Sequence, residues 1–420
     1  MELMDGRYLL FSPEGTVFYD IPDDGQGGRF SLKDFSEPSG WKRAFRHPWV
    51  SFFSPLPIPD QGWKIHVSSS EENAQKILSR VAAHCFSHDL SFKFLGSRQA
   101  LRGQNAKYAD RGSSGKFCTI YTRNEDELHS TLIELGDRLA GFPGPYILSD
   151  LRWGAGPLHV RYGGFRERYC VTSDGRRVPA IMSPNGDLVP DRREPAFLPP
   201  DWVEIPEFLE REFSKDEPDE QSFPFTPELA LHFSNAGGVY QARDHRDNRT
   251  VVLKEARPYA GVDQRGEDAP WRLRREASVL ERLSGLRGVP VFHGRFRAWE
   301  HDFLAMEYID GVALKRAAMD RMPILVPGAP SESDGEYTKW ALRVLSSVEE
   351  VVAQIHDRGV VIGDIHPKNV LLRNDDSPVF IDFEFSAVDD PHWRAPQGAP
   401  GSWLRPIFAE LRLTGGCSPA

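Results

Sequence analysis

The chain has 420 residues, 40% hydrophobic and 27% charged, with a formal charge of -10. That is the composition of a globular protein long enough for two domains. The acidic balance excludes a general nucleic-acid binder, which needs broad positive potential, and no apolar run approaches the roughly 18 residues of a membrane span. MELMDGRYLL lacks the basic start and apolar core of a signal peptide, so the expected compartment is the cytoplasm. Four cysteines, Cys85, Cys118, Cys170 and Cys417, are too few and scattered for a disulfide framework and form no zinc knuckle. They read as small buried apolar residues.

In chain order, residues 1–60 are rich in aromatics, proline and glycine, with short strands expected around RYLLF and TVFYD. A strand over 64–67 follows, then a helix over about 71–86 entered through SSSEENA, a serine cap followed by acids. Strands over 91–95 and 117–122 precede a helix over about 124–140, which GFPGP breaks. Residues 190–227 are dense in proline and acid, the composition of a linker or docking segment. The expected units are an N-terminal extension over 1–60, a first domain over 61–205, a linker over 206–226 and a second domain over 227–420.

The first domain concentrates cations. In WKIHVSSS, Lys64 and His66 share one strand face while Ile65 and Val67 face a core. In SFKFL, Lys93 opposes Phe92 and Phe94, and a lysine partly buried beside other cations has a depressed pKa, so that its neutral amine can take a proton. RGSSGKFCTIYTR supplies Arg111, Tyr121 and Arg123; LRWGAGPLHVRYGGF supplies Arg152 and Arg161. Converging guanidiniums suit phosphate, because their planar forks match its oxygens and stay charged. Two bland alternatives stay open: His66 as a structural strand histidine, and Lys93 as an edge-strand gatekeeper.

The second domain carries kinase chemistry. SNAGGVYQA places Gly237 and Gly238 in a hairpin whose amides can approach phosphates. Lys254 sits in VVLKEA, where an ammonium needs an anion, and Glu276 on the amphipathic WRLRREASVLERL is a suitable one. LAMEYIDG resembles a hinge, with backbone from Glu307 to Ile309 placed for adenine. In VVIGDIHPKNVLL and PVFIDFEFS, Asp364, Asn369 and Asp382 supply a carboxylate to position and deprotonate a hydroxyl, plus an amide and a carboxylate for Mg²⁺ beside ATP phosphates. Gly363 stands where eukaryotic protein kinases carry an arginine, His366 where they carry lysine, and Glu384 replaces the glycine of D-F-G. The D-x-H-x-x-N form also resembles aminoglycoside phosphotransferases, so this signature leaves the substrate open.

KIHV, FKFL, the spacing from Arg111 to Tyr121 and Arg123, and the later RYGG resemble phosphothreonine lyases of bacterial effectors. Together with the kinase-like half they resemble class III or class IV lanthipeptide synthetases, which order a lyase, a kinase-like domain and a cyclase. The resemblance implies an α+β multidomain chain: a mixed-sheet lyase-like domain, then a bilobal kinase-like fold with an incomplete C-lobe, truncated before any cyclase. It makes Lys93 the general base and His66 the general acid of a phosphoserine or phosphothreonine elimination. Lys64, Arg111, Arg123 and Arg161 bind phosphate, and Tyr121 helps to hold the site. ATP and Mg²⁺ are the implied cofactors, and a ribosomal precursor peptide with a leader and a Ser/Thr/Cys-containing core is the implied partner. The rival expectations are a kinase whose first domain only binds phosphorylated ligand, and a silent scaffold that recruits a leader peptide.

Overall fold

The computed structural model describes residues 28–213, 223–263, 265–323 and 333–390. The expected RYLLF and TVFYD strands, Cys417 and the segment after residue 390 lie outside them. The first unit is built on a seven-stranded sheet: β1 (Lys42–Arg46), β2 (Trp49–Phe53), β3 (Gln61–Val67), β4 (Phe92–Leu95), β5 (Cys118–Tyr121), β6 (Leu151–Arg152) and β7 (Leu158–Gly164), in the order β1-β2-β4-β5-β3-β7-β6. The α+β class holds. Every ladder within this sheet is antiparallel, however, where the resemblance implied a mixed one. Residues 42–53, expected in an extension packed against the domain, form two strands of its sheet.

Alternation sends one side-chain set to each face. Ile65, Val67, Phe92, Phe94, Ile120 and Val160 point to the core, where they meet Ile77, Leu78 and Val81 of α1 (Ala74–Ser87) and Leu128, Leu132 and Leu135 of α3 (Glu125–Arg138). Phe92 stacks on Phe52 with ring centroids 5.2 Å apart. Truncating such a buried ring to alanine costs about 3–5 kcal/mol. Helix α3 begins as its sequence dictates: Asn124 accepts from the Glu127 amide at 2.9 Å, and three acids occupy the positive first turn. Helix α1 starts later than expected, because Asn73 makes no side-chain cap bond and its amide group instead donates to Ser70 Oγ at 2.8 Å.

Helix α2 (Arg98–Asn105) lies between β4 and β5, and a small antiparallel sheet follows β7: β8 (Tyr169–Val171), β9 (Arg177–Met182) and β10 (Leu188–Pro190). The expected linker contains α4 (Glu207–Phe213). It docks rather than spans, with Leu209 buried and Phe208 stacked on His129 at 4.2 Å.

The second unit opens with an antiparallel sheet in the order β11-β12-β13-β15-β14: β11 (Phe225–Ser234), β12 (Gly237–Asp244), β13 (Arg249–Ala256), β14 (Phe292–Ala298) and β15 (His301–Glu307). Helix α5 (Ala269–Arg282) packs on it, capped by Asp268 on the Trp271 amide at 3.1 Å. Beyond come β16 (Val312–Ala313), α6 (Leu314–Arg321), α7 (Ser333–Asp357), β17 (Val360–Val361), β18 (Val370–Leu372), β19 (Pro378–Phe380) and β20 (Ala387–Val388). One apolar cluster joins α5, the five-stranded sheet and this second lobe through Leu280, Leu304, Ile355 and Phe380.

Candidate functional site

Two sites are assembled, one in each unit. In the first, strand pairing aligns Lys93 (β4), Thr119 (β5), His66 (β3) and His159 (β7) in one row, and Tyr121, Lys64 and Arg161 in the next row of the same face. Lys64, His66 and Arg161 are buried, and Lys93 is half-buried with its ammonium 4.4 Å from the Trp49 ring centroid.

The carboxylates that organise this face were not apparent in the sequence. His66 Nδ1 meets Asp150 Oδ2 at 2.5 Å, and the other Asp150 oxygen lies 3.3 Å from Lys116 Nζ and accepts from Ser149 Oγ at 2.6 Å. Lys116 also donates to Ser149 Oγ at 2.9 Å and the Gly112 carbonyl at 2.8 Å. Asp191 accepts from Arg161 at 2.5 Å, with Arg193 at 3.5 Å, while Lys64 donates to the Gly164 carbonyl at 2.8 Å. Asp191 and Arg193 belong to PDRREP, which composition alone marks as linker.

Five cations, Lys64, Lys93, Lys116, Arg161 and Arg193, thus face two buried acids, and the imbalance shows in their protonation. Burial, then Arg193 and Lys116, lower Lys93 to about 8. Burial and Arg161 push Lys64 well down. Burial also lowers His66 to about 3 despite Asp150. Asp150 resists its own burial, because Lys116 and His66 hold it well below the ordinary carboxylate range. Burial raises the Tyr121 phenol. A sheet face so charged favours an anion that supplies the missing negative charge.

Arg111 and Arg123 are not brought into these rows. Arg111 lies over the Phe233 ring of the second unit at 4.7 Å. Arg123 is held by Glu127 one helical turn on, with its Nε 2.8 Å from Oε1, so that its charge is already paired. Arg152 bridges to Glu300 of the second unit at 2.7 Å. Arg166 and Arg168 both pair with Asp60. Cys85 and Cys118 are buried as expected, whereas Cys170 is half-exposed.

In the second unit, Lys254 donates to Glu276 at 2.7 Å and to Asp382 at 3.1 Å. Burial opposes the Lys254 charge, but Asp382 and Glu276 outweigh it and raise its pKa. The same Glu276 oxygen accepts the Phe383 amide at 3.1 Å, tying α5 to the Asp382 turn. Asn369 donates to Asp364 Oδ2 at 3.1 Å, which fixes the amide beside that carboxylate. Gly237 sits at φ +150, and a Cβ there would stand 2.1 Å from the Glu255 carbonyl oxygen; the Gly238 amide donates to Glu255 at 2.8 Å. At the hinge, Glu307 donates its amide to Val291 at 2.8 Å and accepts from Arg373 at 2.9 Å, and Ile309 is buried. The donor set of Asp364, Asn369 and Asp382 offers carboxylate and amide oxygens, which fit a hard divalent cation.

The two units also touch through residues 105–107. Asn235, in the turn before Gly237, donates its amide to the Lys107 carbonyl and its side chain to Ala106, both at 2.9 Å. Val262 donates to the Asn105 carbonyl at 2.9 Å, and Lys107 pairs with Glu384.

Comparison with known proteins divides the chain in the same way. Residues 29–219 match the family model for RamC, N-terminal domain, and residues 234–394 match that for the protein kinase domain. The probable SapB synthase of Streptomyces coelicolor is 44% identical over 402 residues, which are 94% of this chain and 43% of that protein. The serine/threonine-protein kinase PknF of Mycobacterium tuberculosis is 31% identical over 172 residues, 40% of this chain and 33% of that protein. PknA of a Nostoc species is 28% identical over 152 residues, 35% and 25% of the two chains. The chain therefore spans less than half the length of each of these relatives. It joins a RamC N-terminal domain to a protein kinase domain.

Proposed function

We propose that the chain carries two consecutive activities of a lanthipeptide synthetase. The kinase domain transfers the ATP γ-phosphate to serine or threonine of a precursor peptide, and the first domain eliminates that phosphate to leave dehydroalanine or dehydrobutyrine. The observation that carries the reading is the placement of Lys93 and His66 in one row of a cation-rich face, on either side of Thr119.

In the elimination, the neutral Lys93 amine takes the α proton, electrons form the Cα–Cβ double bond, and the Cβ–O bond breaks. The departing phosphate oxygen takes a proton from His66. Resting His66 is neutral, but a bound phosphate dianion raises its proton affinity, and Asp150 on Nδ1 stabilises the imidazolium that results. Lys64 and Arg161 hold the phosphate, with Lys116 and Arg193 adding positive potential; Tyr121 packs at the edge against Phe165, ring centroids 5.1 Å apart. Arg111 and Arg123 bind phosphate in this reading only after leaving Phe233 and Glu127.

In the kinase, Asp364 orients the attacking hydroxyl and accepts its proton. Lys254, held by Glu276, contacts ATP phosphates, and Gly237 and Gly238 form the loop above them. Backbone from Glu307 to Ile309 receives adenine. Mg²⁺, when bound, neutralises phosphate charge, and Asn369 and Asp382 would hold it.

The test separates the halves. A peptide bearing chemically installed phosphoserine, supplied without ATP, should lose phosphate with wild type and with Lys254→Met, but not with Lys93→Ala. An unmodified precursor with ATP and Mg²⁺ should accumulate phosphopeptide in Lys93→Ala. Phosphopeptide bound but never converted by wild type would leave a ligand-binding domain in place of a lyase.

A further inference from the structure

Behind the sheet, on the face away from Lys93 and His66, three side chains with metal-ligand chemistry meet. His84 lies in the last turn of α1, His88 is the residue that caps that helix, and Glu134 lies on α3. One ligand atom from each falls within 4.8 Å of the others. His84 is 1% exposed, yet neither of its ring nitrogens has a hydrogen-bond partner. A buried, unpartnered imidazole is costly unless something else meets its lone pair.

The distances favour a cation over hydrogen bonds. Glu134 Oε2 stands 3.5 Å from His84 Nδ1 and 3.6 Å from His88 Nε2. Both separations exceed normal hydrogen bonds to a carboxylate. They match the edge of a tetrahedron around an ion bonded to nitrogen and oxygen at about 2.1 Å, which is roughly 3.4 Å. The second nitrogen of His88 is already committed: Nδ1 lies 2.9 Å from the His84 carbonyl oxygen, which fixes the proton there and leaves the Nε2 lone pair turned to Glu134. The two rings stack at 4.2 Å, so the helix end presents both imidazoles side by side. Arg138, 3.9 Å from Glu134, is the one opposing charge facing the cluster among the described contacts, and its half-exposed side chain can turn to solvent.

We propose that His84, His88 and Glu134 bind one zinc-class transition-metal ion, with water completing a tetrahedron. The ion satisfies one of the two orphaned nitrogens of His84 and pins the end of α1 to α3. Five residues beyond the end of α1 the chain enters β4, which carries Lys93, and α3 follows shortly after β5; the site is structural and steadies the two strands from behind.

The test uses the full chain titrated with zinc chloride in excess magnesium. Wild type should bind one equivalent, and its thermal midpoint should rise by several degrees, as expected for a ligand specific to the folded state. His88→Ala and Glu134→Gln alter half-exposed side chains and should keep the metal-free midpoint while losing about tenfold or more in zinc affinity, since losing even an outer-shell partner costs that much. Cobalt should give visible bands of tetrahedral intensity without thiolate charge transfer. Equal zinc binding by wild type and both variants, thiolate bands that place the metal on cysteine, or no stoichiometric binding would each overturn the proposal.

Discussion

Lys107, just past α2 in the first domain, forms an ion pair with Glu384, two residues beyond Asp382 in the second. Glu384 also accepts from Arg272 of α5 at 3.0 Å, so one carboxylate joins the RamC domain, the helix that carries Glu276 and the Asp382 turn. Burial opposes the charge of Lys107, yet Glu384 outweighs it and raises the lysine. The glycine that this position carries in protein kinases could make no such bond, so the D-F-E departure has a physical role.

Removing this strut should uncouple the domains without touching elimination. Lys107→Ala leaves Glu384 with Arg272 alone; amide exchange over 269–282 should quicken and precursor phosphorylation should fall severalfold, while elimination from a phosphopeptide stays constant. Lys107→Ala with Glu384→Gln should lose less than the sum of the single changes, with a coupling of about 0.5–3 kcal/mol. Additive losses would show that the pair does not couple the two units.

Elimination should depend on the neutral fraction of Lys93. With its amine lowered to about 8 in the unliganded site, kcat/KM for phosphopeptide should climb tenfold per pH unit below 8 and level above it. Lys93→Arg, which cannot lose its proton, should abolish the reaction while retaining phosphopeptide binding. A flat profile from pH 6 to 9 would assign the base elsewhere.

Asp150 should support both stability and chemistry. Asp150→Asn leaves Lys116 and His66 without their buried carboxylate and should cost about 3–5 kcal/mol in urea unfolding at pH 7. The acid dependence has a definite sign. His66, lowered to about 3, and the depressed Asp150 both bind protons more readily unfolded than folded. Their contributions are complete above about pH 6.5 for His66 and about pH 4 for Asp150, and are lost as pH falls through the folded values. Tryptophan fluorescence should therefore report lower urea midpoints at pH 5 than at pH 7.

Gly163 offers a test of the proposed phosphate binding that removes no charge. A Cβ there would stand 2.5 Å from Arg161 Nη1, 3.0 Å from Asp191 and 3.1 Å from Lys64 Nζ. Gly163→Ala should displace these groups and raise KM for phosphopeptide about tenfold, the scale of one charge-assisted hydrogen bond. Unchanged KM would remove the Lys64 and Arg161 row from the binding site.

Sequence by itself determined which residues share a face and set the chemistry to be expected of each half. Period-two alternation is enough to separate Lys64 and His66 from Ile65 and Val67, and the order of Lys254, Glu276, Asp364, Asn369 and Asp382 is a signature written along the chain itself. Alternation says nothing about which strands become neighbours. Only the tertiary structure placed Thr119 between Lys93 and His66, brought Asp150, Lys116, Asp191 and Arg193 from loops, and turned Arg111 and Arg123 to other partners. An ion pair such as that of Lys107 and Glu384, separated by 277 residues, leaves no mark on local sequence pattern. Its formation depends on where two domain surfaces meet, and long-range packing alone decides that.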